Sequence, residues 1–399
     1  EKMKDSVLFP KKGREKSLLR RHPWIFSGAV DRVEGQPRRG ETIRVNSHDG
    51  KFLACGAYSP DSQLRARVWS FEQSETVGRD FFLNRIRCAL DYREFLGYNA
   101  GDGACRLLAA EADGLPGVIA DRYGDYIVVQ ISSAGGEFFK KMIAEALMEA
   151  TGCRGVYERS DLSARKKEGL EETVGLLAGE MPPESLFIIE NGLRFKVDVY
   201  HGHKTGFYLD QKENRRVVRE LSAGRRVLNC FSYTGTFGVC ALKGGAAHVT
   251  NVDSSRPALE TAEENYKLNS LPDSACDNID GDVFEYLRHC RESGESFDMI
   301  ILDPPKFIDS KNALMRGCRA YKDIALLAFR LLKSGGILVN FSCSGLMERA
   351  LFQKITADAA LDAGREALIV RELTQAPDHP VPLSFPEGLY LKGFVNRVC

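Results

Sequence analysis

The stretch Phe297–Phe307 reads FDMIILDPPKF, and it decides how the C-terminal half of the chain is interpreted. Residues 299–302 form a short, continuous apolar run, which is typical of a strand covered on both faces in a parallel sheet. The run stops at Asp303, and two prolines follow. Ligands of open parallel sheets bind outside the carboxyl ends of the strands, so Asp303 is predicted to project into a ligand crevice. An ordinary Asp-Pro turn is the alternative, and this stretch alone does not decide between them.

The sequence around this stretch alternates regularly between strand and helix patterns from residue 225 onward. Apolar runs of strand length are separated by amphipathic segments of helix length, and the alternation continues over about seven strands. This arrangement is typical of a doubly wound α/β sheet. We therefore predict that residues 191–399 form a Rossmann-like domain.

Acidic residues close several of the predicted strands. Asp253 ends the second strand about 20 residues after the first glycine of the loop that follows the first strand, where a carboxylate can accept hydrogen bonds from a pair of ribose hydroxyls. Asp282 follows the third strand beside a glycine and is placed to accept from an adenine amino group. The glycine loop itself, FSYTGTFG at 231–238, lacks the full G-x-G-x-x-G pattern of dinucleotide sites. Together with Asp303, these acids predict one adenosine-shaped site rather than several solvated loops.

This set of motifs resembles the class I S-adenosylmethionine-dependent methyltransferases. FSYTG looks like their glycine loop, Asp253 like their ribose-binding acid, Asp282 like their adenine-side residue, and DPPK like their fourth motif. The resemblance implies S-adenosylmethionine as cofactor. The cofactor-binding residues that we predict are Tyr208, Gln211, Asn229, Phe231, Ser232, Thr234, Gly235, Asp253, Ser254, Asp282, Asp303 and Pro304.

Two of these residues come from TGFYLDQ at 205–211, just ahead of a predicted helix. Helix capping accounts for Asp210. It accounts less well for Phe207 and Tyr208, which we predict to line a pocket.

Cys343 differs from the other ten cysteines because it lies in Ser-Cys-Ser-Gly at the end of a predicted strand, on the same edge as Asp303. C5 of a pyrimidine does not attack a sulfonium methyl group unaided, but thiolate addition at C6 creates a carbanion at C5. We predict that Cys343 is this nucleophile. Asp303 is predicted to hydrogen-bond the base edge and to protonate or hold N3 as charge develops there. The target base must be unstacked to reach both groups.

The Ser-Cys-Ser stretch also resembles the cysteine motif of RNA cytosine-C5 methyltransferases. Many of those enzymes carry a second Cys after the proline of the fourth motif, where this chain has Pro305 and Lys306. The base that removes the C5 proton therefore stays open among Lys306, Asp303 and water.

The N-terminal part of the chain has a different pattern. Short β-like runs separated by turn residues predict a small β-barrel over residues 1–75, and RHPWIFSGAV resembles the PUA domain, an RNA-binding module. Residues 1–22 carry eight basic against three acidic side chains. Contact with RNA phosphates is one explanation of this excess, and a solvated terminus is the other. Residues 76–190 predict a compact α+β middle domain.

Taken over nearly the whole chain, the motifs resemble the large-subunit ribosomal RNA methyltransferase I family. The resemblance implies a PUA domain, a middle domain and a class I methyltransferase domain, and it implies 5-methylcytosine formation in 23S rRNA. A methyltransferase acting on a guanine nitrogen, with Cys343 merely packed, is the first alternative. A non-catalytic RNA-binding ribosome-assembly factor is the second.

Composition sets the remaining expectations. The 55 basic and 55 acidic residues give no formal net charge, which neither requires nor excludes a nucleic-acid partner. No apolar run is long enough to span a bilayer and the N-terminus has no apolar signal segment, so we expect a cytoplasmic protein without membrane contact. Scattered cysteines without C-x-x-C predict neither a metal site nor disulfides. The oligomeric state, including a homodimer, stays open.

Overall fold

The computed structural model describes residues 6–98 and 103–399. The chain divides into two compact units. The first unit comprises the chain up to residue 188 with segments 197–209 and 377–388, and the second comprises 189–196, 210–376 and 389–399. The domain boundaries at 75 and 190 stay predictions. Residues 1–5 of the basic segment lie outside the described residues.

The first unit begins with a mostly antiparallel six-stranded sheet in the order β2-β6-β5-β4-β1-β3. Alternating side chains form its core, and Ile43 and Val45 of one strand both point inward. The predicted small β domain is thus confirmed. Its elements are β1 (Val7–Pro10), α1 (Lys16–Leu19), β2 (Trp24–Phe26), β3 (Val30–Glu34), β4 (Thr42–Asn46), β5 (Phe52–Tyr58) and β6 (Leu64–Ser70).

The α+β part of the first unit packs two helices on a five-stranded sheet in the order β11-β10-β9-β8-β7. Trp69 of β6 lies in the same core, with its ring centroid 5.6 Å from that of Phe82. The predicted α+β fold is confirmed. Its elements are α2 (Arg79–Phe95), β7 (Ala104–Ala109), β8 (Val118–Tyr123), β9 (Tyr126–Ile131), α3 (Ala134–Thr151), β10 (Gly155–Ser160) and β11 (Thr173–Gly179).

A hairpin of β12 (Leu186–Glu190) and β13 (Leu193–Val197) precedes the large sheet of the second unit. The sheet has seven strands in the order β16-β15-β14-β17-β18-β20-β19. Its elements are α4 (Lys212–Leu221), β14 (Arg226–Cys230), α5 (Thr236–Lys243), β15 (His248–Asp253), α6 (Arg256–Leu268), β16 (Cys276–Asp280), α7 (Val283–Glu292), β17 (Phe297–Leu302), α8 (Leu314–Leu331), β18 (Leu332–Ser342), α9 (Arg349–Asp362), β19 (Ala367–Thr374) and β20 (Lys392–Val398).

The five strands β14 to β18 run parallel, whereas β20 is antiparallel to both of its neighbours. Strand order reverses between β14 and β17, which creates a topological switch point at their carboxyl ends. The Rossmann-like prediction is confirmed, and the switch point is the place where such sheets bind ligands. No helix within the described ranges is long and apolar enough to cross a membrane.

Strand β17 is covered on both faces, as its continuous apolar run predicts. Ile300 and Leu302 pack with residues of α7 and α8, whereas Met299 and Ile301 pack with residues of α4 and α5. Side chains alternate along a strand, so Asp303 follows on the side of α4 and α5. The burial pattern of the strand therefore determines the side on which this carboxylate emerges.

Arg215 of α4 and Glu190 of β12 form a buried ion pair in the second unit, with Nε to Oε1 at 2.6 Å and Nη2 to Oε2 at 2.8 Å. Replacing Arg215 with Met leaves the carboxylate buried without its partner, which is expected to lower the free energy of unfolding by about 3–5 kcal/mol. Urea unfolding measures this change. The control is Arg216→Met, because the Arg216 side chain is 55% exposed. This variant should lose less than about 1 kcal/mol of the free energy of unfolding. Equal losses in the two variants would contradict the assignment.

Candidate active site

The loop after β14 has an unusual backbone. Phe231, Tyr233 and Gly235 have φ angles of 57°, 48° and 70°, all in the left-handed region. Only the glycine adopts this conformation freely, and a non-glycine residue there costs about 1–3 kcal/mol. Such strain concentrates at ligand sites, so the loop is a candidate binding element.

Three buried polar atoms of this segment have no hydrogen-bond partner among the described residues: Asn229 Oδ1, Ser232 Oγ and Thr234 Oγ1. An unsatisfied buried polar group costs about 1–3 kcal/mol, and native structures contain few of them. Two of the three lie in the strained loop, where a ligand with polar groups would satisfy them.

Asn229 has a structural role besides this. Its Nδ2 donates to Asn251 Oδ1 at 2.9 Å, and Asn251 Nδ2 donates to Asn278 Oδ1 at 2.9 Å, so the three asparagines form a row across β14, β15 and β16. A hydrogen bond between neighbouring strands therefore accounts for the NH₂ group of the Asn229 side chain. Its contact with cofactor stays a prediction.

Asp253, at the end of β15, is fixed beside the strained loop. Its Oδ2 accepts from the backbone N–H of Tyr233 at 2.7 Å, and its Oδ1 accepts from that of Ser255 at 2.9 Å. A carboxylate accepts about four hydrogen bonds, so each oxygen retains acceptor capacity. The arrangement suits the predicted contact with a pair of ribose hydroxyls. Ser254, next to Asp253, is exposed.

Asp282 is exposed and serves as the N-cap of α7, because its Oδ1 accepts from the backbone N–H of Glu285 at 3.0 Å. Capping alone explains an Asp at this position. Its position after β16, at the same sheet edge as Asp253, is the one expected from the sequence. Recognition of adenine by Asp282 stays a prediction.

Asp303, at the end of β17, is half-buried and held by a chain of amides. Gln211 Nε2 donates to Asp303 Oδ2 at 3.1 Å, and Asn214 Nδ2 donates to Gln211 Oε1 at 2.6 Å. Gln211 precedes α4, which packs on the side of the sheet where Asp303 emerges. The structure therefore brings two predicted site residues together, and it adds Asn214, which the sequence did not single out.

The capping explanation of Asp210 is wrong. Gln211 occupies the N-cap position of α4, with no side-chain cap hydrogen bond. Asp210 Oδ2 instead accepts from the hydroxyl of Tyr390 at 2.7 Å, and the Asp210 carbonyl accepts from the backbone N–H of Ala376 at 2.8 Å. The partner lies 180 residues away in the sequence, so no local pattern could indicate it.

The rest of the Asp-Pro-Pro-Lys-Phe loop separates into buried and exposed residues. Pro304 is buried, whereas Lys306 is exposed and makes no hydrogen bond or ion pair with any described residue. The ring of Phe307 contacts those of Tyr321, Phe284 and Phe231, with centroids 4.9, 6.2 and 6.3 Å away. This aromatic cluster connects the loops that follow β14 and β17 with helices α7 and α8.

Cys343 follows β18 directly and is half-buried between two buried serines. Ser344 Oγ accepts from the backbone N–H of Ile308 at 3.3 Å and lies 3.3 Å from the hydroxyl of Tyr321. The Ser-Cys-Ser motif is thereby tied to the loop that carries Asp303. Since β17 and β18 are neighbours, Asp303 and Cys343 lie at one edge of the sheet, as the sequence predicts.

Tyr208 belongs to the first unit. Its hydroxyl lies 3.1 Å from His203 Nδ1, and the Lys204 ammonium lies over its ring, 4.3 Å from the centroid. A role for Tyr208 in cofactor binding stays a prediction. Sequence reasoning also missed the buried Lys392, whose signal was a single Lys among the apolar residues and glycine of LKGF.

Comparison with known proteins assigns the chain to a family. The model of the S-adenosylmethionine-dependent methyltransferase family matches residues 156–380, and that of the PUA-like domain matches residues 11–71. Proteins named ribosomal RNA large subunit methyltransferase I are similar over nearly their full length. The one from Aeromonas salmonicida is 56% identical, covering 97% of this chain and 98% of its own. That from Vibrio vulnificus is 55% identical, covering 98% and 99%.

The chain belongs to the ribosomal RNA large subunit methyltransferase I family. Two solved structures share the fold of this methyltransferase, each with a TM-score of 0.85 and 23% identity over 98% of the chain. One is described as a candidate S-adenosylmethionine-dependent methyltransferase from Streptococcus mutans, and the match covers 100% of it. The other is described as a candidate methyltransferase complexed with S-adenosylhomocysteine, and the match covers 99% of it.

The cofactor of this methyltransferase is S-adenosylmethionine, as predicted, and it supplies an electrophilic methyl group. The residues at the switch point fit such a group. Buried hydroxyls of Ser232 and Thr234 lack protein partners, and Asp253 is fixed beside them with acceptor capacity to spare. These three residues would hold the polar parts of the cofactor.

Replacing Asp253 with Ala should weaken the binding of S-adenosylmethionine by about 1–3 kcal/mol, or roughly tenfold to a hundredfold, because ribose hydroxyls would lose their acceptor. Calorimetric titration measures the affinity. Asp277→Ala is the matched control, since that side chain is 66% exposed on β16. Wild-type affinity in Asp253→Ala would remove Asp253 from the site.

Thr234→Val removes a buried hydroxyl that has no partner within the described part of the protein. The melting temperature without cofactor should therefore stay constant or rise, while affinity for S-adenosylmethionine should fall by about 0.5–1.5 kcal/mol. Thr356→Val is the opposite control, because its hydroxyl donates to the Phe352 carbonyl at 2.9 Å. It should lose stability and retain affinity. The hypothesis fails if Thr234→Val loses stability instead of affinity.

Proposed function

We propose that the protein methylates C5 of a cytosine in 23S ribosomal RNA through a covalent bond between Cys343 and C6 of the base. The observation that carries this proposal is a half-buried cysteine at the carboxyl end of β18, beside the Asp303 loop. A cysteine at this edge is required for C5 chemistry and is unnecessary for methylation of an exocyclic nitrogen.

Addition at C6 activates C5, because the two atoms share a double bond in the pyrimidine ring. The Cys343 thiolate adds to C6, and the C5–C6 π electrons move to C5, which becomes nucleophilic enough to accept a methyl group. Removal of the C5 proton then restores the double bond and expels the thiolate. The contacts of Ser344 with the Ile308 backbone and the Tyr321 hydroxyl support this role, because an attacking atom must be held in a defined position.

Asp303 is proposed to hold the base edge while charge develops at N3. Gln211 already donates to Asp303 Oδ2, which keeps the carboxylate oriented before substrate arrives. The base that removes the C5 proton stays open. Lys306 is a candidate because it is exposed and makes no ion pair with the described residues, so its amino group can reach a substrate and would act as a base in its neutral form.

The substrate is proposed from two findings. The similar proteins from Aeromonas and Vibrio are named for the RNA of the large ribosomal subunit, and the N-terminal residues match a PUA-like domain. The contact of the basic N-terminal segment with RNA phosphates is part of the same proposal.

The covalent step is tested with RNA that contains 5-fluorocytosine. Fluorine blocks the elimination that frees the enzyme, so the wild-type protein should form a denaturant-resistant adduct when cofactor is present. Cys343→Ser offers a much weaker nucleophile and should form no adduct, although it still binds cofactor. Denaturing gel electrophoresis detects the adduct.

Cys318→Ser is the matched control, since Cys318 is a half-buried cysteine on α8. This variant should form the adduct at the wild-type level. Substantial 5-methylcytosine production by Cys343→Ser, measured by mass spectrometry of digested RNA, would overturn the covalent mechanism. Methylated guanine in its place would identify a different target atom.

A further inference from the structure

Lys392 occupies an unusual environment. It opens β20 and is paired in register with Ser342, the residue before Cys343. Its exposure is only 6%, and no other described lysine is buried. Burial of an ammonium group is unfavourable unless another group compensates for the lost hydration.

Among the residues that the structure describes, none supplies a carboxylate counterion to Lys392. Its Nζ donates to the carbonyl oxygen of Ser344 at 2.7 Å, and no described carboxylate lies within ion-pair distance. On its other side, Lys392 pairs with Thr374 of β19, which has no charge. A Met or Leu would fill this position at lower cost, so packing does not explain a lysine here.

Cys343 is the titratable residue that lies between the two contacts of Lys392, because Lys392 pairs in register with Ser342 and donates to the carbonyl of Ser344. Burial lowers the pKa of Lys392 to about 8, and the neighbouring Cys343 opposes that change. The interaction is reciprocal, because an ammonium that is stabilised by a thiolate stabilises that thiolate equally. Tyr321 of α8 also faces Cys343, but burial raises the pKa of its hydroxyl, so Tyr321 stays neutral.

We propose that Lys392 is the positioning residue that keeps Cys343 in its reactive thiolate form, and this proposal rests on the covalent mechanism proposed above. The thiol of Cys343 releases its proton to solvent, and the nearby ammonium of Lys392 stabilises the thiolate that remains. The thiolate forms the bond to C6 and leaves again when the C5 proton is removed. Lys392 retains its proton throughout and fixes the Cys343 backbone through the Ser344 carbonyl.

The proposal is tested by the alkylation rate of Cys343. Iodoacetamide reacts with the thiolate, so the pH dependence of modification, followed by peptide mass spectrometry, reports the titration of this one cysteine. In the wild-type protein the midpoint should lie below about 8.5, the value of an ordinary thiol. A wild-type midpoint at or above that value would overturn the proposal without any variant.

Lys392→Met should raise the midpoint by about one pH unit or more, which reduces the rate of alkylation at neutral pH roughly tenfold. Lys392→Arg retains the positive charge and should keep the midpoint low. Lys333→Met is the matched control, because Lys333 is an exposed lysine of β18 that forms an ion pair with Asp298. Cofactor affinity, measured in parallel, verifies that each variant is folded.

An unchanged midpoint in folded Lys392→Met would overturn the role of Lys392. This outcome is distinct from failure of the covalent mechanism, because alkylation requires neither RNA nor methyl transfer. If Cys343→Ser still produced 5-methylcytosine, the covalent mechanism would fail whatever the titration of Cys343. Slower adduct formation with 5-fluorocytosine RNA in Lys392→Met would support both the covalent mechanism and the role of Lys392.

Discussion

The pairing of β14 with β17 is the constraint on which the site depends. The two strands are far apart in the sequence, yet they lie side by side in register from Val227 opposite Met299 to Cys230 opposite Leu302. Both strands therefore end at the same level, and the backbone N–H of Asp303 lies 3.5 Å from the Cys230 carbonyl. The glycine loop and the Asp303 loop consequently leave the sheet together. Neither loop alone would define a binding site.

The apolar core determines the register of these strands. Strands β14 and β17 are buried on both faces, and a shift of one residue would exchange the two faces of a strand. Asp303 would then emerge on the side of α7 and α8, away from Gln211. The same alternation places Cys343 in contact with the core on the side of α4 and α5. Packing of ordinary aliphatic side chains thus positions the polar groups.

The site itself retains features that do not favour stability. Two non-glycine residues have positive φ angles, two hydroxyls lack partners within the described ranges, and a lysine is buried without a carboxylate. Each strained residue and each unpaired hydroxyl costs about 1–3 kcal/mol, and a folded domain has only about 5–15 kcal/mol of net stability. Their concentration at one sheet edge is the pattern expected where binding and chemistry, rather than folding, select the residues.

The sequence by itself determined the parallel sheet and the position of polar residues at its carboxyl edge. Periodicity is a local property, so the apolar run before Asp303 and the helix patterns around it could be read directly. The likeness of FSYTG, DPPK and Ser-Cys-Ser to known motifs also indicated the cofactor. These inferences depend on neighbours within a few residues of one another.

Only the tertiary structure decided which distant residues meet. Asp210 looked like a helix cap, but it bonds to Tyr390, and Asp303 is oriented by Gln211, 92 residues away. Lys392 was part of a recognisable motif, yet nothing in the sequence showed that β20 would enter the sheet antiparallel and place it beside the cysteine loop. Hydrogen bonds and charges act through space, and a one-dimensional pattern does not contain the distances that determine them.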